Sequence, residues 1–192
     1  MKILMYLAQG VELIEMSAFV DVIGWHKHYL KGDINVITCG RAKEVLTTFN
    51  IPLKVDRLLN DIDVREYEAL AVPGGFGDYG FYKDAYQEDV LQLIREFNAQ
   101  GKIIASICVG ALPLGKSGIL NNRSATTYHL MGGRRQKELM QYNVTVINEP
   151  VVVDQNIITS WCPSTAIDVA FKLVEMLTTI DNVNQLKTIM GY

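Results

Sequence analysis

The stretch Gly101-Lys-Ile-Ile-Ala-Ser-Ile-Cys-Val-Gly-Ala-Leu-Pro-Leu-Gly115 decides the fold. Ile103 to Ile107 is a short apolar run with β-branched residues, the pattern of a strand buried on both faces. Val109 to Leu114 has the composition of the first turns of a helix. Cys108 stands between the two, in a sharp strand-turn-helix corner of the kind that presents a nucleophile. A helix start aims unpaired N–H groups and a partial positive charge at the sulfur. Both favour the thiolate, which is the reactive form. A free cysteine also commonly serves as a small buried hydrophobe. The corner position, flanked by Ser106 and Gly110, favours function for this one.

Upstream of this corner, the pattern alternates short apolar runs with helical spacing. Ile3–Ala8 has strand length, and Val11–Leu30 follows with apolar residues at helical recurrence. Ile34–Thr38 is a second strand, which completes a βαβ unit. Leu46–Phe49 and Ile51–Val55 suggest a short hairpin, with Pro52 favouring an edge. Asp56–Arg65 is charged and predicts a loop with a helical turn. Ala69–Val72 is a third buried strand that ends in Pro73-Gly-Gly-Phe-Gly77, and Asp84–Gln100 is one amphipathic helix.

Downstream, Ser124–Thr127, Val144–Ile147 and Pro150–Ser160 read as strands, the last with a turn at Asp154-Gln-Asn156. Arg134–Tyr142, Pro163–Thr179 and Asp181–Met190 read as helices. The sum is one α/β domain over residues 1–192, with a mostly parallel sheet and helices on both faces.

Composition narrows the function. Hydrophobic residues make up 49% of the 192, enough for a sizeable core, and the net charge of -3 comes with no basic block. Nucleic acid is therefore not an expected partner. No apolar stretch is long enough to span a bilayer, and the N-terminus lacks a signal-peptide pattern. Three cysteines, an odd number, argue against a disulfide framework. With no CxxC or HExxH, no metal site is expected. The expectation is a soluble cytoplasmic protein with reduced thiols.

Several residues near the corner have the right chemistry. Glu12 and Glu15 open the first helix, where carboxylates suit the helix dipole. If one of them instead points across the sheet edge to Cys108, desolvation raises its pKa and makes it a proton donor. His129 follows Thr126-Thr127-Tyr128 past a strand end; it is either a base for the thiol or a surface residue. His26 and His28, two apart on one helix, suit no shared metal and read as surface or interface residues. Cys39 and Cys162 read as packing residues. The Gly-rich loop Gly74-Gly75 either offers backbone N–H groups, with that of Val109, to an oxyanion or is only a tight turn, and Gly74 and Phe76 are candidate substrate-binding residues.

At these positions the chain resembles the ThiJ/PfpI superfamily, also called the DJ-1 family, in its small single-domain branch. Four blocks match in order: Gly10-Val-Glu-Leu-Ile-Glu15, Pro73-Gly-Gly75, Ala105-Ser-Ile-Cys-Val-Gly110, and Thr126-Thr127 with His129. The tail Thr159-Ser-Trp-Cys-Pro-Ser-Thr-Ala166 matches the closing helix start. The resemblance implies a flavodoxin-like three-layer sandwich and usually a homodimer. It implies Cys108 as nucleophile, Glu15 as the carboxyl beside it, and Gly75 and Val109 as oxyanion donors. Two patterns depart from the relatives. Tyr128 separates His129 from the Thr-Thr pair, and Val109 stands where the superfamily's proteases carry a histidine.

These features lead to an expected cofactor-independent cysteine enzyme of the glyoxalase or deglycase type, acting on small-molecule α-oxoaldehydes or glycated adducts. The alternatives are a peroxide sensor or redox-regulated chaperone that uses oxidation of Cys108, and a hydrolase of small amides or esters.

Overall fold

The computed structural model describes residues 1–192. In chain order the elements are β1 (Lys2–Tyr6), α1 (Leu13–Tyr29), β2 (Asn35–Gly40), β3 (Glu44–Leu46), β4 (Pro52–Lys54), β5 (Arg57–Leu58), β6 (Ala69–Val72), α2 (Phe81–Ala85) and α3 (Glu88–Ala99). They continue with β7 (Ile103–Ser106), α4 (Ala111–Ser117), β8 (Ser124–Ala125), α5 (Leu130–Met140), β9 (Thr145–Val146), β10 (Val151–Asp154), β11 (Ile157–Ser160), α6 (Ala166–Leu177) and α7 (Ile180–Met190).

Seven strands form one sheet in the order β10-β11-β7-β6-β1-β2-β5. Every neighbouring pair is parallel except β10 with β11. Helices α1, α6 and α7 pack on one face, and α3, α4 and α5 cover the other. With both faces covered, a central strand has no wet side. Ile3, Leu4, Met5 and Tyr6 of β1 are accordingly all buried, as are all four residues of β6. No helix is long and apolar enough to cross a membrane.

The chain leaves β1 towards β2 on one side and returns to β6 on the other. The strand order therefore reverses between β1 and β6, and in open α/β sheets ligands bind at the carboxyl ends of the strands at such a point. The turn after β1, the Pro73–Gly77 loop after β6 and the Cys108 corner after β7 all converge there.

The structure departs from the sequence reading in several places. The helix expected over Asp84–Gln100 is two helices, because Gln87 is extended (φ -68°, ψ 145°) and restarts the chain as the N-cap of α3. The Ser124–Thr127 strand shrinks to β8, which pairs with β9 outside the main sheet. Arg57–Leu58, expected within a loop, adds the edge strand beside β2. His26 is buried rather than at the surface, with its ring packed against Gly32. A hairpin forms in this region, with Pro52 in β4 of a separate two-stranded sheet, but its first strand is Glu44–Leu46, and a 3-10 turn at Thr48–Asn50 replaces the end of the expected strand.

Candidate active site

The corner after β7 is fixed mostly by backbone. Ile107 N–H donates to the Val72 carbonyl (3.3 Å), and Gly110 N–H donates to the Ile107 carbonyl (2.9 Å). The Thr127 hydroxyl donates to the Cys108 carbonyl at 2.8 Å. Cys108 itself adopts a left-handed conformation, φ +56°. That conformation costs a side-chain-bearing residue about 1–2 kcal/mol and persists only where the surroundings impose it. Gly110 is obligatory for a steric reason, since a Cβ there would come within 2.3 Å of the Val72 carbonyl oxygen.

Glu15 reaches the corner from the first turn of α1 and is 1% exposed. One carboxyl oxygen, Oε2, accepts the Gly74 N–H at 2.6 Å, while Oε1 has no hydrogen-bond partner. Burial pushes the Glu15 pKa from its ordinary 4.5 to about 8, against the pull of the Gly74 N–H. At neutral pH the carboxyl therefore keeps a proton. Burial also pushes the Cys108 thiol well up; the neighbouring Glu15 charge adds to this and the Val109 N–H opposes it. The expected preference of the helix start for thiolate is thus outweighed by desolvation.

Gly74 has a different role from the one expected. It does not border the cavity; its N–H anchors Glu15, and a Cβ would meet Glu15 Oε2 and the Val109 nitrogen, each at 3.0 Å. Gly75 does border it. The flanking bridge uses Glu12 N–H to the Gly74 carbonyl (2.9 Å) and Phe76 N–H to the Gly10 carbonyl (3.0 Å), which leaves Gly75 N–H unpaired between them.

The cavity over Cys108 measures about 370 Å³. Of the expected site residues, Cys108, Glu15, Gly75, Val109 and Phe76 border it. His129 does not; its ring stacks on Trp161 with centroids 4.1 Å apart, and Tyr128 takes the place on the cavity wall. Cys162, read as a packing residue, is half-buried with its sulfur 3.2 Å from Ser164 Oγ. No group of three or more His, Cys, Asp or Glu side chains converges as a metal site would require.

The sequence reading missed Tyr82, Leu130, Met131, Arg134, Arg135 and Pro163, all of which border the cavity. A signal was present in Gly132-Gly133 ahead of Arg134-Arg135. Met131, Gly132 and Gly133 take φ of +53°, +70° and +68°, so the regular part of α5 begins at the arginines.

A sequence pattern of the DJ-1/PfpI family matches residues 1–176. The chain belongs to the DJ-1/PfpI family. It is 28% identical over 175 residues to protein DJ-1 homolog B of Arabidopsis thaliana, covering 91% of this chain and 37% of that protein. The chain thus spans less than half of that longer relative. A Pyrococcus horikoshii protein named a deglycase is 25% identical over 164 residues, covering 85% of this chain and 92% of that one. The crystal structure of Drosophila melanogaster DJ-1beta superposes with a TM-score of 0.84 at 26% identity, covering 98% of this chain and 96% of that chain. The flavodoxin-like sandwich is therefore common to this chain and its DJ-1 relatives.

Proposed function

We propose that the protein is a cysteine enzyme of the glyoxalase or deglycase type, acting on α-oxoaldehydes or glycated adducts. One observation carries this reading: a buried carboxyl that holds its proton near neutral pH shares an open cavity with Cys108. The deglycase name of the Pyrococcus horikoshii relative supports it.

The Cys108 thiol gives its proton to water in the open cavity as the sulfur forms a bond to the aldehyde carbon. The carbonyl π-bond breaks, and its oxygen takes the Glu15 proton, which gives a hemithioacetal. Gly75 and Val109 N–H groups stabilise the oxygen while it carries charge. The Glu15 carboxylate then removes the proton from that carbon and returns it to the neighbouring keto carbon through an enediol, while the hydroxyl proton passes to the former keto oxygen. A thioester of a 2-hydroxy acid results. Water cleaves the C–S bond, releases the hydroxy acid and restores the thiol and the Glu15 proton. Every step uses a group on the cavity wall, and none requires His129.

Conversion of methylglyoxal to lactate by the purified protein, without metal or glutathione, is the test. Turnover that disappears in Cys108→Ala and Glu15→Gln supports the reading. Absence of turnover in the wild type, with Cys108 the thiol first modified by dilute peroxide, moves the assignment to a redox sensor. A homodimer and a reducing, cytoplasmic setting belong to the same proposal. The exposed Ile14, Trp25 and Tyr29 along α1 offer an apolar stripe for the dimer, and all three cysteines are free. Sedimentation at micromolar concentration tests the dimer.

A further inference from the structure

The charge of the cavity wall is one-sided. Besides Cys108, Tyr82 and Tyr128, its ionisable side chains are Glu15, Arg134 and Arg135. Glu15 keeps its proton through burial, so the two guanidiniums set the sign of the wall near neutral pH. The chain as a whole carries -3, so a cationic cavity is not a reflection of its overall composition.

The position of the arginines gives a second, independent indication. They occupy the first regular turn of α5, where the helix dipole disfavours cations. Helix stability therefore does not explain them. Arg135 is preorganised: its Nη1 lies 2.6 Å from Glu138 Oε2, and its guanidinium carbon sits 4.5 Å from the Tyr82 ring centroid. Glu138 is held in turn by the Tyr86 hydroxyl, which donates to Oε1 at 2.8 Å. Arg134 makes no ion pair and leaves its fork open. Tyr82 lies between the two parts of the site, within electrostatic range of Cys108 and of both arginines.

We infer that the cavity selects substrates with a second, anionic group, a carboxylate or phosphate, held by Arg134 and Arg135 while Cys108 attacks the carbonyl. An arginine fork matches either oxyanion in a two-point contact. The cavity volume of about 370 Å³ leaves room for both groups in one small molecule. The inference rests on Cys108 as the nucleophile, and its test separates the two.

Cys108 is alkylated with iodoacetate, an anion, and with iodoacetamide, its neutral counterpart, at pH 6.5 and low salt. Peptide mass spectrometry resolves Cys108 from Cys39 and Cys162. The iodoacetate-to-iodoacetamide rate ratio at Cys108 is expected to exceed that of a free cysteine peptide by about tenfold, and to shrink with added salt. Arg134→Gln should bring the ratio most of the way to the peptide value, and Arg134→Glu below it. Protection by malonate against protection by inorganic phosphate tells which oxyanion fits. A ratio equal to the peptide's in the wild type, or one unchanged in both Arg134 variants, overturns the inference. If neither reagent modifies Cys108, the nucleophile reading fails by itself. Calorimetric titration with lactate against lactamide then decides: a lactate preference lost in Arg134→Gln supports the anion site, and equal binding overturns it.

Discussion

The Cys108 wall of the cavity and the Arg134 wall are held in different ways. Cys108, Glu15 and Gly74 are buried at the ends of central strands and the start of α1, tied by backbone hydrogen bonds and by glycines that admit no side chain. Arg134, Met131 and Phe76 are exposed, on segments outside the sheet. A Cβ added at Gly132 would meet nothing within 4 Å, whereas one at Gly75 would lie 2.1 Å from the Gly10 carbonyl oxygen. The groups proposed to react are thus placed by the core, and the arginines proposed to recognise substrate by a short left-handed detour. On the proposed reading, chemistry belongs to the rigid half of this site and selectivity to the half free to vary.

The strongest way to sharpen this contrast is removal of the nucleophile. Cys108→Ala should reduce methylglyoxal turnover to the uncatalysed background, with circular dichroism and the thermal midpoint close to wild type. A variant that keeps measurable turnover would place the chemistry elsewhere in the cavity. Glu15→Gln comes next, with kcat falling by roughly 10²–10⁴-fold, the range for loss of a positioned acid–base group. A raised KM with kcat unchanged would instead make Glu15 a binding residue.

Glu15 also ties the rigid wall to pH. Its carboxyl titrates near 4.5 when unfolded and at about 8 in the fold. Between those values the folded state holds a proton that the unfolded chain has released, so the Glu15 contribution to stability falls as pH rises through the window. Denaturant titrations at pH 5 and pH 8.5 should show wild type losing up to about 5 kcal/mol relative to Glu15→Gln. Parallel pH profiles for the two proteins would mean that Glu15 ionises normally.

Two glycine substitutions compare the walls directly. Gly75→Ala should cost about 3 kcal/mol through backbone overlap, lowering the thermal midpoint by roughly 6–12 °C. Gly132→Ala meets open space and bears only the left-handed penalty, about 1–2 kcal/mol. Equal midpoints for the two variants would erase the distinction between a packed wall and an open one.

Much of the rigid wall was legible in the sequence. Cys108 was found because a strand-to-helix corner leaves a local pattern, and the glycine loop because three glycines after a buried strand do the same. The role of Gly74 was misassigned because its N–H points to Glu15, a contact between segments far apart in sequence. Sequence left His129 open between a base for the thiol and a surface residue, and its ring instead stacks on Trp161. His26 looked like a surface residue because a helical pattern does not show that Gly32 folds back over its ring. The arginines were missed because charged residues at a helix start resemble any solvated surface.

The sequence by itself determined the alternation of strand and helix, the parallel sheet, the corner at Cys108 and the family. Each is written in local periodicity or in short ordered blocks. Only the tertiary structure decided that Glu15 is buried against Cys108, that Gly75 N–H is left unpaired, and that Arg134 and Arg135 face the same cavity. The reason is that proximity across a parallel sheet is set by strand order, and side-chain burial by what packs on top. Neither leaves a mark at the residue itself, and burial is what makes a carboxyl of ordinary composition into a proton donor near neutral pH.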